Sequence, residues 1–339
     1  KGQGLQEEER EVVVGAGRHV PWSVGIPPEV MTEYVGVKLG EYYRDPEVML
    51  RTQLEARELF YRLYGLPKGG VSPTYSSYVE ASQFGVEVVF PEDNVPMVRG
   101  PVMRDAKDVY RLKVVDPRRG GLMARAIKTY EYMRKEVGDS VPVGLGGTEG
   151  PVTTAVVVRG QEFFVDIILH PKEMHKLLQM VTELSLEIRR AIEEVTGERM
   201  RKTGIADDFS GLLSPEQYEE FAYPYQKMIY EEFGREGRSL HSELLRREHL
   251  KFLPMLGVTH YDPGCDQYLE VRDILEGAPG IPFSFNIRTV EMLRGTPESI
   301  RAKYIEAVEE GAPEMYTELC RGVPRENVSA FVEVAREYE

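Results

Sequence analysis

The sequence is poor in cysteine, has no long apolar run and is short of positive charge. Only two of its 339 residues are cysteine, Cys265 and Cys320. Two thiols make no disulfide framework, so a reducing, cytoplasmic setting is expected. They stand far apart, which also excludes a C-x-x-C redox or zinc motif. No apolar stretch approaches the roughly eighteen residues of a membrane span. Lys and Arg number 42 against 56 Asp and Glu, a net charge of −14. A chain this acidic offers no general surface for a nucleic-acid backbone. The stretch Lys1 to Glu11 is polar and charged, unlike a secretory leader. Val12 to Gly17 begins like a dinucleotide loop, but the third glycine is missing and Pro21 follows too soon for the helix. Neither an internal repeat nor a low-complexity linker interrupts the chain.

What is present is the composition of a globular protein, 42% hydrophobic and 29% charged, long enough to bury a large core. Asp45-Pro46 opens a helix with an N-cap and a first-turn proline, and the apolar spacing runs to Tyr64. Val86 to Phe90 followed by a turn at Pro91 to Asn94 predicts a small hairpin. Asp105 to Leu112 and Leu122 to Val137 read as helices. From Val141 the rhythm is regular. Strand-like Val141 to Gly147 is followed by helix, with a strong amphipathic helix over Pro171 to Val195. Strand Gly204 to Phe209 precedes a capping box at Ser214 to Gln217. Strand Ser239 to Glu243 precedes a helix-like run, Leu244 to Leu253. Val258 to Tyr261, Pro282 to Asn286 and Met315 to Leu319 complete the series, each followed by a helix. With candidates near Val20 and within Gly69 to Tyr78 there are eight strands. A (β/α)8 TIM barrel closes them most economically, as one domain over 1–339 with an N-terminal arm, 1–19, and the hairpin as an insertion. An open doubly wound sheet is the alternative, without a phosphate-binding glycine loop to support it.

Such a barrel does its chemistry at the C-terminal ends of its strands. Glu149, Asp207, Asp208, His241, Glu243, Asp262, Cys265, Asn286 and Cys320 all fall at or just after strand ends. In a strand, residues two apart point the same way. If the strand runs through Glu243, His241 and Glu243 aim an imidazole and a carboxylate into one site. Zinc takes such ligands, and Cys265 or Cys320 is the candidate third. Asp207, Asp208 and Glu149 are candidate acids or bases. Tyr75, Asp262 and Asn286 are candidate substrate contacts. A non-catalytic assembly role is disfavoured by so many polar strand ends.

Several segments together resemble the uroporphyrinogen decarboxylase superfamily. They are Glu149-Gly150-Pro151, Arg159-Gly160-Gln161-Glu162, Asp207-Asp208-Phe209, Leu213 to Phe221 with Pro224, Phe285-Asn286-Ile287, Leu293 to Glu298, and Gly322 to Val328. The resemblance runs from about Val20 to the C-terminus and implies the same barrel. One branch, the true decarboxylases, carries an Arg-Gln-Ala-Gly-Arg segment that grips substrate carboxylates. The nearest stretch here is Gly15-Ala16-Gly17-Arg18-His19. The other branch, corrinoid-dependent methyltransferases, holds zinc through His-x-Cys and a distant cysteine. His241-Ser242-Glu243 occupies the first place, with Glu for Cys, and Cys320 the second. The resemblance therefore implies zinc on His241, Glu243 and Cys320. The nearest likeness is to the methyltransferase component of anaerobic O-demethylase systems in one-carbon metabolism, which demethylates methoxylated aromatic compounds. No Asp-x-His-x-x-Gly cobalamin loop is present, so the corrinoid would ride on a partner protein. A porphyrin-forming decarboxylase and a methylcobalamin:thiol methyltransferase are the alternatives. The oligomeric state is open, with a homodimer the candidate.

Overall fold

A computed structural model describes residues 19–146, 149–265 and 268–339. The arm before His19 and the Val12 to Gly17 stretch lie outside the described residues. The strands are β1 (Trp22–Gly25), β2 (Val88–Val89), β3 (Met97–Val98), β4 (Lys202–Ala206), β5 (Gly237–His241), β6 (His260–Asp262), β7 (Ser284–Asn286) and β8 (Glu314–Glu318), and from β4 to β8 they alternate with helices. β4, β5 and β6 form one parallel ladder and β7, β8 and β1 another. A parallel bridge from Tyr261 to Phe283 joins the two. On the other side Glu149 bridges to Ala206, and Val143 to Val71. This is the parallel ring of a (β/α)8 barrel. β2 and β3 pair antiparallel as the expected hairpin. Among the described residues no helix is long and apolar enough to cross a membrane.

Local chemistry explains the helix boundaries. Asp45 caps Pro46–Tyr64 by accepting from the Glu47 N–H at 2.8 Å, and Gly65, at φ 68°, ends it. Ser214 and Gln217 bond reciprocally, at 3.2 and 3.0 Å, to open Pro215–Phe221. The long helix Pro171–Thr196 buries Met174, Leu177, Leu178, Val181, Leu184, Ile188 and Ile192 along one stripe. Each such side chain contributes about 1.5–3 kcal/mol by leaving water.

Four expectations are corrected. Only Val71 of the Gly69 to Tyr78 stretch pairs as a strand residue. The backbone of Ser72 is taken instead by the Gln53 side chain, which accepts its N–H at 2.9 Å and donates to its carbonyl at 2.8 Å. β5 ends at His241 and does not reach Glu243. The Glu243 N–H turns to Asp208 Oδ1, at 2.9 Å, instead of a neighbouring strand. The run after it is not one helix but a 3-10 turn, Arg247–His249, and a short helix, Phe252–Leu256. Similarly, Asp105 to Leu112 holds only a 3-10 helix, Ala106–Tyr110, capped by Asp105 and Asp108.

Candidate functional site

The site is set by cross-strand register. Ala206, His241 and Asp262 stand abreast on β4, β5 and β6. His241 Nδ1 lies 2.9 Å from Asp262 Oδ2, and its Nε2 lies 3.6 Å from Asp208 Oδ1. Asp262 is itself fixed. Its Oδ1 accepts from the Gly264 N–H at 2.9 Å and from Asn286 Nδ2 at 3.5 Å. Burial works against a charge on His241, but the Asp262 hydrogen bond, with the charges of Asp262, Asp208 and Glu243, raises the imidazole to about 9. Burial raises Asp262 as well, and the His241 bond and charge outweigh it, leaving that carboxyl below its ordinary value.

Glu243 reaches the same place from a bend beyond the strand. Its Oε1 accepts from the Cys265 N–H at 2.8 Å. A Cβ on Gly264, whose φ is 73°, would come within 2.0 Å of the Glu243 side chain. Only glycine allows that approach. Cys265 is buried, with Sγ 4.0 Å from Asn286 Oδ1. Burial, with the charges of Glu318 and Glu243, pushes its thiol up. Asn286 is buried and donates to the Ser284 carbonyl at 3.1 Å. His241, Glu243, Asp208, Asp262, Cys265 and Asn286 are thus brought together. Cys320 is half-buried, two residues past the end of β8, packed against the apolar core.

The neighbouring acids divide into two kinds. Asp207 is fully buried. Its Oδ1 accepts from the Thr153 N–H at 2.7 Å and its Oδ2 from Gln226 Nε2 at 2.8 Å. A Cβ on Gly150 would touch it at 2.2 Å. Asp207 therefore clamps the Glu-Gly-Pro turn to the Asp-Asp-Phe turn, and both its oxygens are engaged. Asp208, next to it, faces His241 and Glu243. Burial, then the charges of Glu80, Asp208 and Asp207, push Glu149 well above the ordinary carboxyl range. Burial and three neighbouring carboxylates thus both disfavour a charge on Glu149.

Tyr75 is placed differently. It is buried, its hydroxyl 2.7 Å from Thr129 Oγ1, under the Arg125 guanidinium and edge-on to Phe90. Its polar end is already used.

Sequence reasoning missed Glu80 and Glu318. Glu80 is fully buried and accepts the Glu149 N–H at 3.0 Å; burial raises it to about 7. Its place in the short helix Val79–Ser82 gave no sign of this. Glu318 receives the Tyr316 hydroxyl at 3.1 Å and is raised by burial. It feels the charges of Glu243 and His241, so β8 borders the site beside Cys320. The alternation Glu314, Tyr316, Glu318 was the legible signal, three polar side chains on one strand face.

A metal-binding reading has one structural test. The Asp262 carboxylate on Nδ1 leaves Nε2 as the outward ring nitrogen, which is how a histidine ligand is oriented. Nitrogen, carboxylate and thiolate are donor types that zinc takes. Among the described residues no three His, Cys, Asp or Glu side chains already surround one point. Metal binding would have to gather them.

Known proteins agree with this architecture. A protein named uroporphyrinogen decarboxylase from Prochlorococcus marinus (strain NATL1A) is 24% identical over 337 residues, covering 91% of this chain and 92% of its own. One of the same name from Xanthomonas axonopodis pv. citri (strain 306) is 26% identical over 230 residues, 65% and 63% of the two chains. A solved structure described as a methyltransferase from Methanosarcina mazei superposes with a TM-score of 0.71 at 21% identity, covering 94% of each chain. At that identity the likeness is one of fold. The family profile "Uroporphyrinogen decarboxylase (URO-D)" matches residues 19–338, nearly the whole barrel, and on that match the chain belongs to the uroporphyrinogen decarboxylase family.

Proposed function

We propose that this protein is a zinc-dependent methyltransferase that moves a methyl group from a methoxylated aromatic compound to the cobalt of a separate corrinoid protein. The observation that carries the reading is the Asp262–His241 pair, 2.9 Å apart, with Glu243 and Asp208 beside it. It supports a metal-ligand histidine better than a substrate-gripping site. His241, Glu243 and Cys320 would hold the zinc, and the metal would supply Lewis acidity at the ether oxygen. Asp262 keeps the His241 ring in one tautomer. Asp208 ties down the Glu243 backbone and, with Asn286 fixing Asp262, keeps the ligands aimed. Glu149 holds a proton at its carboxyl for the departing phenolate. Asp207 positions Glu149 through the Gly150 turn and does not touch substrate. A corrinoid partner would dock over the barrel mouth and would supply the methyl acceptor there, where the strand ends hold the substrate close. The two cysteines, with no disulfide between them, suit a cytoplasmic protein.

A decarboxylase reading has the names of the Prochlorococcus and Xanthomonas relatives in its favour. Of the two acids such a reading would put on pyrrole protons, Asp207 or Asp208, Asp207 is fully buried with both oxygens bonded, which leaves Asp208. The test sets the two side by side. The purified protein is incubated with zinc, reduced corrinoid protein and a panel of methoxybenzenes, and methylcobalamin is followed by absorbance. A parallel sample receives uroporphyrinogen. Methylcobalamin from an aryl ether is the expected result. Decarboxylation that survives a chelator, with no methylcobalamin, would overturn the reading. Thiol methylation from methylcobalamin alone would reverse its direction.

A further inference from the structure

Burial alternates along β8. Met315 and Thr317 are buried, while Glu314, Tyr316 and Glu318, on the other face, are half-buried. That face looks into the barrel. Glu314 Oε2 lies 3.3 Å from His260 Nε2 at the lower end of the lumen. Tyr316, one step up the strand, stands abreast of Asn286 on β7. Asn286 reaches Asp262, and Asp262 holds His241. Burial, then the Glu318 charge, raise the Tyr316 hydroxyl, and Cys265 and Asp262 act on it too, so this ring borders the site.

Two local features fix the ring. Its hydroxyl donates to Glu318 Oε2 at 3.1 Å. Gly25 on β1 gives it room. A Cβ there would lie 2.0 Å from the Tyr316 hydroxyl oxygen and 3.0 Å from the ring carbon that bears it. Gly25 is not a turn residue, since it pairs with Glu318 inside the β1–β8 ladder. Glycine weakens a strand, and inside one it often marks a close approach. Here the group that approaches is Tyr316. Other tyrosine rings are taken up by packing. Tyr218 stacks on Phe252, Tyr304 meets Phe331, and Tyr75 lies under Arg125. Among the described residues no aromatic ring and no cation stacks on Tyr316. Nor is it part of the apolar core.

We propose, resting on the methyl-transfer reading, that the Tyr316 ring is the wall against which the substrate's aromatic ring lies, and that it sets a preference for an aryl over an alkyl ether. An aryl ring offset over a tyrosine face gains from the quadrupoles of the two rings as well as from buried area. A saturated ring of the same size gains the area alone. A flat wall also limits how the substrate can lie, so its methoxy group meets the site in few orientations. The Glu318 bond holds the hydroxyl end, so the ring is set before binding and little ordering is needed. Tyr75, the ring the sequence suggested, stands on the other half of the barrel with its hydroxyl and a face already engaged.

The test reads binding and needs no methyl transfer. Titration calorimetry on the purified protein compares 1,2-dimethoxybenzene with its saturated counterpart, 1,2-dimethoxycyclohexane. The wild type should bind the aryl ether about fivefold more tightly. Tyr316→Leu should bring the two affinities within about twofold, the area term being common to both. Tyr316→Phe keeps the ring and loses the Glu318 bond, and it should keep the preference. Gly25→Ala displaces the ring without altering it, should lower the preference as Tyr316→Leu does, and takes its place if that variant does not fold. A preference that survives Tyr316→Leu, or Gly25→Ala in its place, would overturn the role of Tyr316 and leave the methyl-transfer reading standing. Equal loss in Tyr316→Phe and Tyr316→Leu would make Tyr316 a support for Glu318 and overturn it as well. A wild type that binds neither ether, or both alike, would end the aryl-ether reading itself and the role of Tyr316 with it.

Discussion

The two halves of the barrel are built by different means. From Lys202 onward, β4, β5 and β6, and β7 with β8, pair in register over three to five residues, with one bridge from Tyr261 to Phe283 between the two ladders, and rows of side chains follow from that register. His241 meets Asp262 because β5 and β6 hold them abreast. Between β1 and β4 the ring is marked, among the described residues, by single bridges at Val71, Val143 and Glu149. There the chain is held by rings, with Tyr42 against Tyr43, Tyr43 and Tyr75 against Phe90, and Tyr34 and Tyr64 against Phe60. Ring packing holds the wall but spends its hydroxyls, as Tyr75 does on Thr129 and Tyr34 on Tyr64. Ladders leave polar ends free to converge, so the chemistry gathers on the ladder side.

The sharpest way to break that contrast is His241→Ala. It should cut methyl transfer by about a thousandfold or more while the protein stays folded, read as kcat/KM and melting temperature. Activity within tenfold of wild type would remove the ladder side from the reaction.

Next in size is the pair of adjacent aspartates. Asp207→Ala strands Gln226 and the Thr153 N–H in the interior and should cost roughly 3–5 kcal/mol by urea unfolding. Asp208→Asn should keep most of the stability and lose activity. The reverse outcome would exchange their roles.

Glu80 joins the two halves and gives a pH signature. Its folded value, about 7, is above the ordinary carboxyl value because burial disfavours the charge. The folded state then binds more protons than the unfolded one between about 4.5 and 7, so stability falls as pH rises through that window and is level above it. The loss should be on the order of 3 kcal/mol, and Glu80→Gln should remove it. Unchanged pH dependence in that variant would place the titrating group elsewhere.

Smallest is Tyr75→Phe, expected to cost about 1 kcal/mol for one buried hydroxyl pair, with activity within twofold. A large KM increase would bring Tyr75 back into substrate contact.

Much of this was legible in the sequence, for reasons that differ by element. Asp45-Pro46 and the Ser214 to Gln217 box announced helix starts because caps are local chemistry. Each half-barrel strand from β4 on was visible because a turn and an amphipathic helix follow it. The stretch around Val71 was legible as strand only in outline, because a side chain from a distant helix, Gln53, takes the backbone there. Residue type alone made Asp207 and Asp208 equal candidates. Only the Gly150 contact and Gln226, distant in sequence, tell the clamp from the site residue. Glu80 was invisible for the same reason, since its burial depends on elements that meet only in the fold. The end of β5 at His241 was hidden too, because the carboxylate that stops it belongs to Asp208.

The most direct test of the account is the zinc content of the purified protein and three variants, measured by plasma mass spectrometry after exhaustive dialysis. About one zinc per chain is predicted for the wild type, as for a catalytic site with one position open. His241→Ala and Cys320→Ala should each lose most of it, and Cys265→Ala should keep it. Equal loss from the Cys265 variant would show that the other thiol is the ligand. Full methyl-transfer activity in wild-type protein without zinc would contradict the account.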